Sequence, residues 1–148
     1  MFGSGGEAMS LVSTRVFLRG HAGETPTGTL FFELLDLRPS DGFKTMPSDS
    51  SWSAALITLV EVSIDECLDA PEPSEEFAAR IEAGLKHAAE WLTGDREKPL
   101  AAWRGPGRKA DIFVAGWLEE DQFDFVFPHE FLLACGRLGL QITICTND

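Results

Sequence analysis

The sequence predicts an α/β domain of the α+β kind: a two-layer sandwich with a mainly antiparallel sheet, helices on one face, and a ferredoxin-like core carrying an inserted helix. Three observations predict it. The segments Leu11 to Arg19 and Ser53 to Ile64 have strand-like patterning and composition. Ser74 to Leu92 repeats its apolar residues at helical spacing. The last third reads strand, turn, strand, helix, strand.

Each element follows from its residues. Leu11 to Arg19 sets Val12, Val16 and Leu18 against Ser13, Arg15 and Arg19, a half-buried strand. Thr27 to Leu37 places Leu30, Leu34 and Leu37 at helical spacing with Phe31 beside them, and the helix must stop before Arg38-Pro39 because the residue before proline disfavours the α region. The polar stretch from Pro39 to Trp52 reads as loop. Ser53 to Ile64 is rich in β-branched residues, with Leu56, Thr58, Val60 and Val62 on one face and Ile57 and Leu59 on the other, which makes it the candidate central strand. Ser74 reads as an N-cap, Glu75 and Glu76 as the acidic first turn, and Phe77, Ile81, Leu85, Ala88 and Leu92 as the buried stripe of a long helix ended by Gly94.

Asp111 to Trp117 and Gln122 to Phe127 read as a hairpin closed by Leu118-Glu119-Glu120-Asp121, with Phe123, Phe125 and Phe127 on one face. Pro128 suits a first helical position, Phe131, Leu132, Cys135 and Leu138 form the buried stripe, and Gly139 is the cap. The final strand, Leu140 to Thr146, turns Leu140, Ile142 and Ile144 inward. Residues 1–10 read as a flexible leader, in which Met9 is a second possible start, and residues 11–148 as one globular domain.

Composition narrows the function. With 44% hydrophobic and 24% charged residues the chain can bury a core, and its apolar runs are too short to cross a bilayer. The opening MFGSGGEAMS lacks the basic start and apolar run of a secretory signal. Cys67, Cys135 and Cys145 are odd in number and lack C-x-x-C spacing, so reduced thiols and a cytoplasmic location are expected. A net charge of −12 opposes nucleic acid and anionic membranes and makes a basic protein the expected charged partner.

Motifs for chemistry are sparse. His21, His87 and His129 lack metal-ligand spacing, so no metal and no cofactor are expected. His129-Glu130 is the most site-like pair, although a glutamate in a first helical turn also simply complements the helix dipole. There is no G-x-S-x-G and no cysteine in a basic, exposed setting, so an enzyme gains no support. The basic segment Arg104 to Lys109 contains two glycines but precedes a strand rather than opening a helix, which is the wrong context for a phosphate loop. What remains is acidic surface: eleven carboxylates between Glu61 and Glu97, and a second group, Glu119, Glu120, Asp121 and Asp124, flanked by Trp117 and Phe123. Trp117, Glu119, Glu120, Asp121, Phe123 and Asp124 are therefore the candidate binding residues.

From Lys109 onward, KADIFVAGWLEEDQFDFVFPHEFLLACGRLGLQITI resembles the closing segment of small bacterial α/β domains of the toxin-immunity type. The resemblance rests on strand, polar turn, strand, a leucine-rich helix ending in Leu-Gly-Leu, and a last alternating strand. It covers about a quarter of the chain and carries no catalytic signature. It implies a non-enzymatic cytosolic binder, an inhibitor that occludes a basic partner. The alternative is a small-molecule-binding regulatory domain of ferredoxin-like shape.

Overall fold

The structure, a computed structural model, describes residues 13–21, 28–46, 54–105, 107–117 and 124–146. Its elements are β1 (Ser13–His21), α1 (Gly28–Leu34), a 3-10 turn (Pro39–Asp41), β2 (Lys44–Met46), β3 (Ala54–Ser63), a second 3-10 turn (Ile64–Cys67), α2 (Pro73–Thr93), α3 (Glu97–Trp103), β4 (Lys109–Trp117), α4 (His129–Leu138) and β5 (Ile142–Thr146). The fold is α+β. The expected leader, residues 1–10, lies outside the described residues.

The sheet runs in the order β2-β3-β1-β4-β5. All neighbours are antiparallel except β4 and β5, which are parallel. β1 is thus the middle strand, and it alternates strictly. Val16 and Leu18 face the helices, while Phe17 lies on the opposite face with Leu56 and Phe113. Helices cover one face only: the buried residues of all four helices join a single cluster with Val16, Leu18, Ile112 and Val114, whereas the second cluster holds strand residues alone.

β3 departs from simple alternation. Val16 pairs with Val60 and Phe17 with Thr58, so Leu59 is the extra residue of a β-bulge. The bulge moves the pattern by one residue. Ala55, Ile57 and Leu59 before it, and Val60 and Val62 after it, all face the helices, while Ala54 and Leu56 face the other way. This corrects the expected grouping of Leu56 with Val60 and Val62, because strict period two fails at an inserted residue.

Other elements shift for local reasons. α1 is shorter than Thr27 to Leu37 and buries Phe31 and Leu35, leaving Leu30 exposed; Asp36, at φ 53°, turns the chain out of the helix. The expected loop after Pro39 contains the 3-10 turn and the short edge strand β2. Its Asp41 carboxylate accepts from the Trp91 indole Nε1 at 3.1 Å and from the Arg38 backbone N–H at 2.9 Å, which ties this segment to α2. α2 buries the expected stripe from Phe77 to Leu92, but it begins at Pro73, and Glu72 rather than Ser74 holds the N-cap position. α3 was not legible because Pro99 reads as a breaker. Pro99 is the third residue of α3, where a backbone N–H has no intrahelical partner to lose.

Among the described residues the anticipated hairpin is not formed, and its turn, Leu118 to Asp121, lies outside them. Asp124 to Phe127, the described part of its second strand, has no strand pairing. β4 has no free side to offer: β1 occupies one along its full length, and β5 takes the other from Ile112 to Gly116. The 124–127 segment instead crosses toward α2, where Glu82 Oε2 accepts the Val126 N–H at 3.2 Å. Phe125 and Phe127 pack on the core as half-buried residues, and Phe127 stacks on Phe131. α4 then buries Phe131, Ala134, Cys135 and Leu138, with Leu132 exposed rather than buried. Gly139, at φ 69°, caps it as expected. Ile144 shares the helix-facing side with Ile142 but is 60% exposed, on an edge strand of the sheet.

Candidate functional site

Sheet register places the Asp65 to Glu76 carboxylates and Asp124 toward one end of the sheet. Ser13 pairs with Ser63 on one side and with Trp117 on the other, and Gly116 pairs with Thr146. The ends of β3, β4 and β5 and the start of β1 therefore lie side by side. From the end of β3 the chain enters the Ile64–Cys67 turn, whose start is fixed by the Ser63 hydroxyl accepting the Asp65 N–H at 3.3 Å. Asp65, Glu66, Asp69, Glu72 and Glu75 are exposed along this turn and the start of α2, and Leu68 stands among them at 60% exposure. Among the described residues, Arg80 is the cation that pairs within this group. Arg80 donates to Glu76 at 2.7 Å and lies 3.9 Å from Glu66.

From the end of β4 the chain enters the second acidic segment. Of the candidate residues there, Glu119, Glu120, Asp121 and Phe123 lie outside the described residues, and Trp117 is described only as the last residue of β4. Asp124 is described, is exposed, and makes no ion pair among the described residues. It borders a cleft of about 200 Å³ on the helix side of the sheet. The floor of that cleft is Val114, Gly116 and Ile144, Phe125 forms a wall, and Thr14 and Thr146 supply hydroxyls. Sequence reasoning missed it, since its residues come from β1, β4, β5 and an irregular segment.

The opposite end of the sheet carries cations. Arg104 Nη2 donates to the Leu138 carbonyl at 2.6 Å, and Arg96 and Arg137 line a cleft of about 170 Å³ beside Leu138, together with Asp95 and Glu97. The Arg104 to Lys109 segment is a tight turn, with the Arg108 N–H donating to the Gly105 carbonyl at 2.9 Å, and it enters β4 as expected. Arg108 lies over the Trp103 ring, 5.1 Å from its centroid, so its cation is used in packing.

The histidines do not converge. His129 is exposed with Glu130 3.4 Å away, which matches the reading of a solvated first turn. His87 sits on α2 against Phe43, its Nε2 3.2 Å from the Asp41 carbonyl. His21 is the one that meets a carboxylate inside a network, with Nε2 3.4 Å from Asp111 Oδ1 on the helix-free face of the sheet. Burial lowers its pKa, and Arg19 and Lys109 add to that, while Asp111 opposes it. Neither of the two clefts described above is lined by His21 or Asp111. Among the described residues no group of three His, Cys, Asp or Glu side chains is arranged to hold a metal, and no helix is long and apolar enough to cross a membrane.

No family model, curated protein or solved structure matches the chain.

Proposed function

We propose that this protein is a non-enzymatic interaction protein that binds a basic partner through the acidic end of its sheet, as an immunity-type inhibitor binds a toxin. One observation carries the reading. The ends of β3 and β4 flank the start of β1, so the Asp65 to Glu76 carboxylates and Asp124 lie toward the same end of the sheet, which supports a shared field from carboxylates far apart in sequence. Exposed Leu68 inside that field supplies an apolar contact for the docked state. Complementary charge raises the association rate and disfavours wrong partners. The proposed residues thus shift from the 117–124 segment alone to that segment together with Asp65, Glu66, Asp69, Glu72 and Glu75.

The small-molecule reading ranks second. It rests on the cleft beside Asp124, whose volume of about 200 Å³ falls below the roughly 300–1,000 Å³ usual for small-molecule sites.

The test uses a decalysine peptide as a basic probe. Reversing Glu72 and Glu75 to Lys should slow association several-fold at low salt and leave it unchanged at 1 M salt, where the screening length is roughly 3 Å. Reversing Glu90 and Glu97, toward the other end, should change it far less. Equal slowing by both pairs would mean net charge alone attracts the probe, and the proposed surface would be abandoned.

A further inference from the structure

We infer that the cleft beside Asp124 is a receptor for an alkylammonium group. The inference deepens the reading above by naming the anchor, a lysine side chain of the basic partner, and it rests on that reading for the source of the lysine.

Three features of the cleft point to this chemistry. Its floor is apolar and open at the centre among the described residues: a Cβ built on Gly116 meets none of them within 4 Å, and Ile144 is 60% exposed although it faces the helix side of the sheet. Val114, Ile144 and Phe125 thus offer a surface for a methylene stem. The second feature is Thr14. It is the one buried polar residue of the described chain, 3% exposed, and it lines the cleft while its hydroxyl makes no side-chain hydrogen bond among the described residues. The hydroxyl oxygen is not itself sealed from solvent, so it opens on the cleft, and an occupant that covers it must supply a hydrogen-bonding partner or leave it unsatisfied. The third is Asp124, the only charged residue among the described lining residues.

An ammonium has three N–H donors and no acceptor. The polar groups of the cleft, one carboxylate and the hydroxyls of Thr14 and Thr146, supply acceptors to match them. A carboxylate or phosphate would meet no cation here, and a neutral apolar group would leave Thr14 unsatisfied. The volume suits one long side chain rather than a drug-sized molecule. Position fits as well, because Thr14, Gly116 and Thr146 belong to the same sheet end as the Asp65 to Glu76 carboxylates, whose field draws cations toward the cleft.

Amide-resolved NMR titration tests this with three probes: n-butylammonium, a Gly-Lys-Gly peptide, and the same peptide with its lysine acetylated. The lysine peptide should shift the amides of Thr14, Gly116 and Ile144 in a saturable way, and the acetylated peptide should not. If butylammonium matches the peptide in affinity, the cleft takes free amines; if it binds several-fold more weakly, flanking peptide contributes and a protein lysine is the occupant. Gly116→Val, which fills the floor, should abolish these shifts, and Asp124→Asn should weaken binding about tenfold, as loss of a charged hydrogen-bond acceptor does. Thr146→Val, at an exposed position, gives a several-fold loss that can be read even if Gly116→Val proves unstable. Equal binding of acetylated and unmodified peptide, or retention of full affinity in Asp124→Asn and Thr146→Val, would overturn the inference. Decalysine association that responds to Glu72 and Glu75 but not to these cleft variants would leave the acidic surface standing and remove the cleft alone.

Discussion

Arg19 grips Asp111 with two parallel hydrogen bonds across adjacent strands, Nε to Oδ1 at 2.9 Å and Nη2 to Oδ2 at 2.7 Å. The two residues are register partners on β1 and β4, and both side chains are about four-fifths buried on the helix-free face. The Arg19 guanidinium also lies 4.3 Å from the centroid of the Phe113 ring. A forked, stacked guanidinium cannot be replaced by a lysine ammonium without losing both contacts. Asp111→Ala should therefore destabilise the fold by about 2 kcal/mol, in the range for hydrogen bonds to charged groups and discounted for partial exposure. A double-mutant cycle with Arg19→Ala, read by urea denaturation, should show clear coupling. Additive effects would mean the pair is a bystander.

His21 makes this corner sensitive to pH. Its folded pKa is lowered by burial, with Arg19 and Lys109 assisting and Asp111 opposing. A base with a depressed folded pKa binds its proton more weakly in the folded than in the unfolded chain. Stability is then fully present above about pH 6.5, the unfolded value, and falls as pH drops from there toward the folded pKa. The urea midpoint of the wild type should decline across that window more steeply than that of His21→Gln. An NMR titration of His21 should give a midpoint below 6.5, and Asp111→Asn should move it lower still. A midpoint above 6.5 would reverse the sign of the argument.

Gly20 is required by Phe31. A Cβ on Gly20 would stand 2.6 Å from Phe31 Cδ1, and Phe31 is fully buried with its ring edge-on to Trp103 at 4.9 Å between centroids. The ring has nowhere to retreat. Gly20→Ala should cost about 1–3 kcal/mol through overpacking. Combining it with Phe31→Leu should recover part of the loss, measured as a denaturation midpoint. An unchanged midpoint in the single variant would show that the β1–α1 packing is loose.

The thiols should differ in reactivity. Burial pushes the Cys135 pKa up to about 12, so almost no thiolate is present there at pH 8, and burial also raises that of Cys67. Both are within 3% of full burial, whereas Cys145 on β5 is half-buried. Iodoacetamide at pH 8 should alkylate native Cys145 well ahead of the other two, with peptide mapping as the readout. Equal labelling of Cys135 before unfolding would show that α4 opens readily from the sheet.

Periodicity carried the elements whose burial is decided within one segment. The α2 stripe from Phe77 to Leu92, the alternation of β1 and the Gly139 cap were legible because a helix or strand shows one face to the core and its own spacing records which. The sequence also determined the α+β class and the acidic character of any charged surface.

Tertiary structure decided the rest, and for one reason: the outcome depended on what lay beside the element rather than within it. Asp124 to Phe127 has strand-like residues, yet both sides of β4 were already taken by β1 and β5. Ile144 has the pattern of a core residue and lies exposed on an edge strand of the sheet. The bulge at Leu59 moved Val60 and Val62 to the helix face, which only pairing with β1 reveals. Arg19, His21 and Asp111 were visible as separate residues, but their meeting depends on the β1–β4 register. The same holds for the candidate site. That the chain is acidic is composition, but bringing Asp65 to Glu76, Asp124 and Thr14 to one end required the sheet, since strand order and register are set by long-range hydrogen bonding that local spacing does not encode.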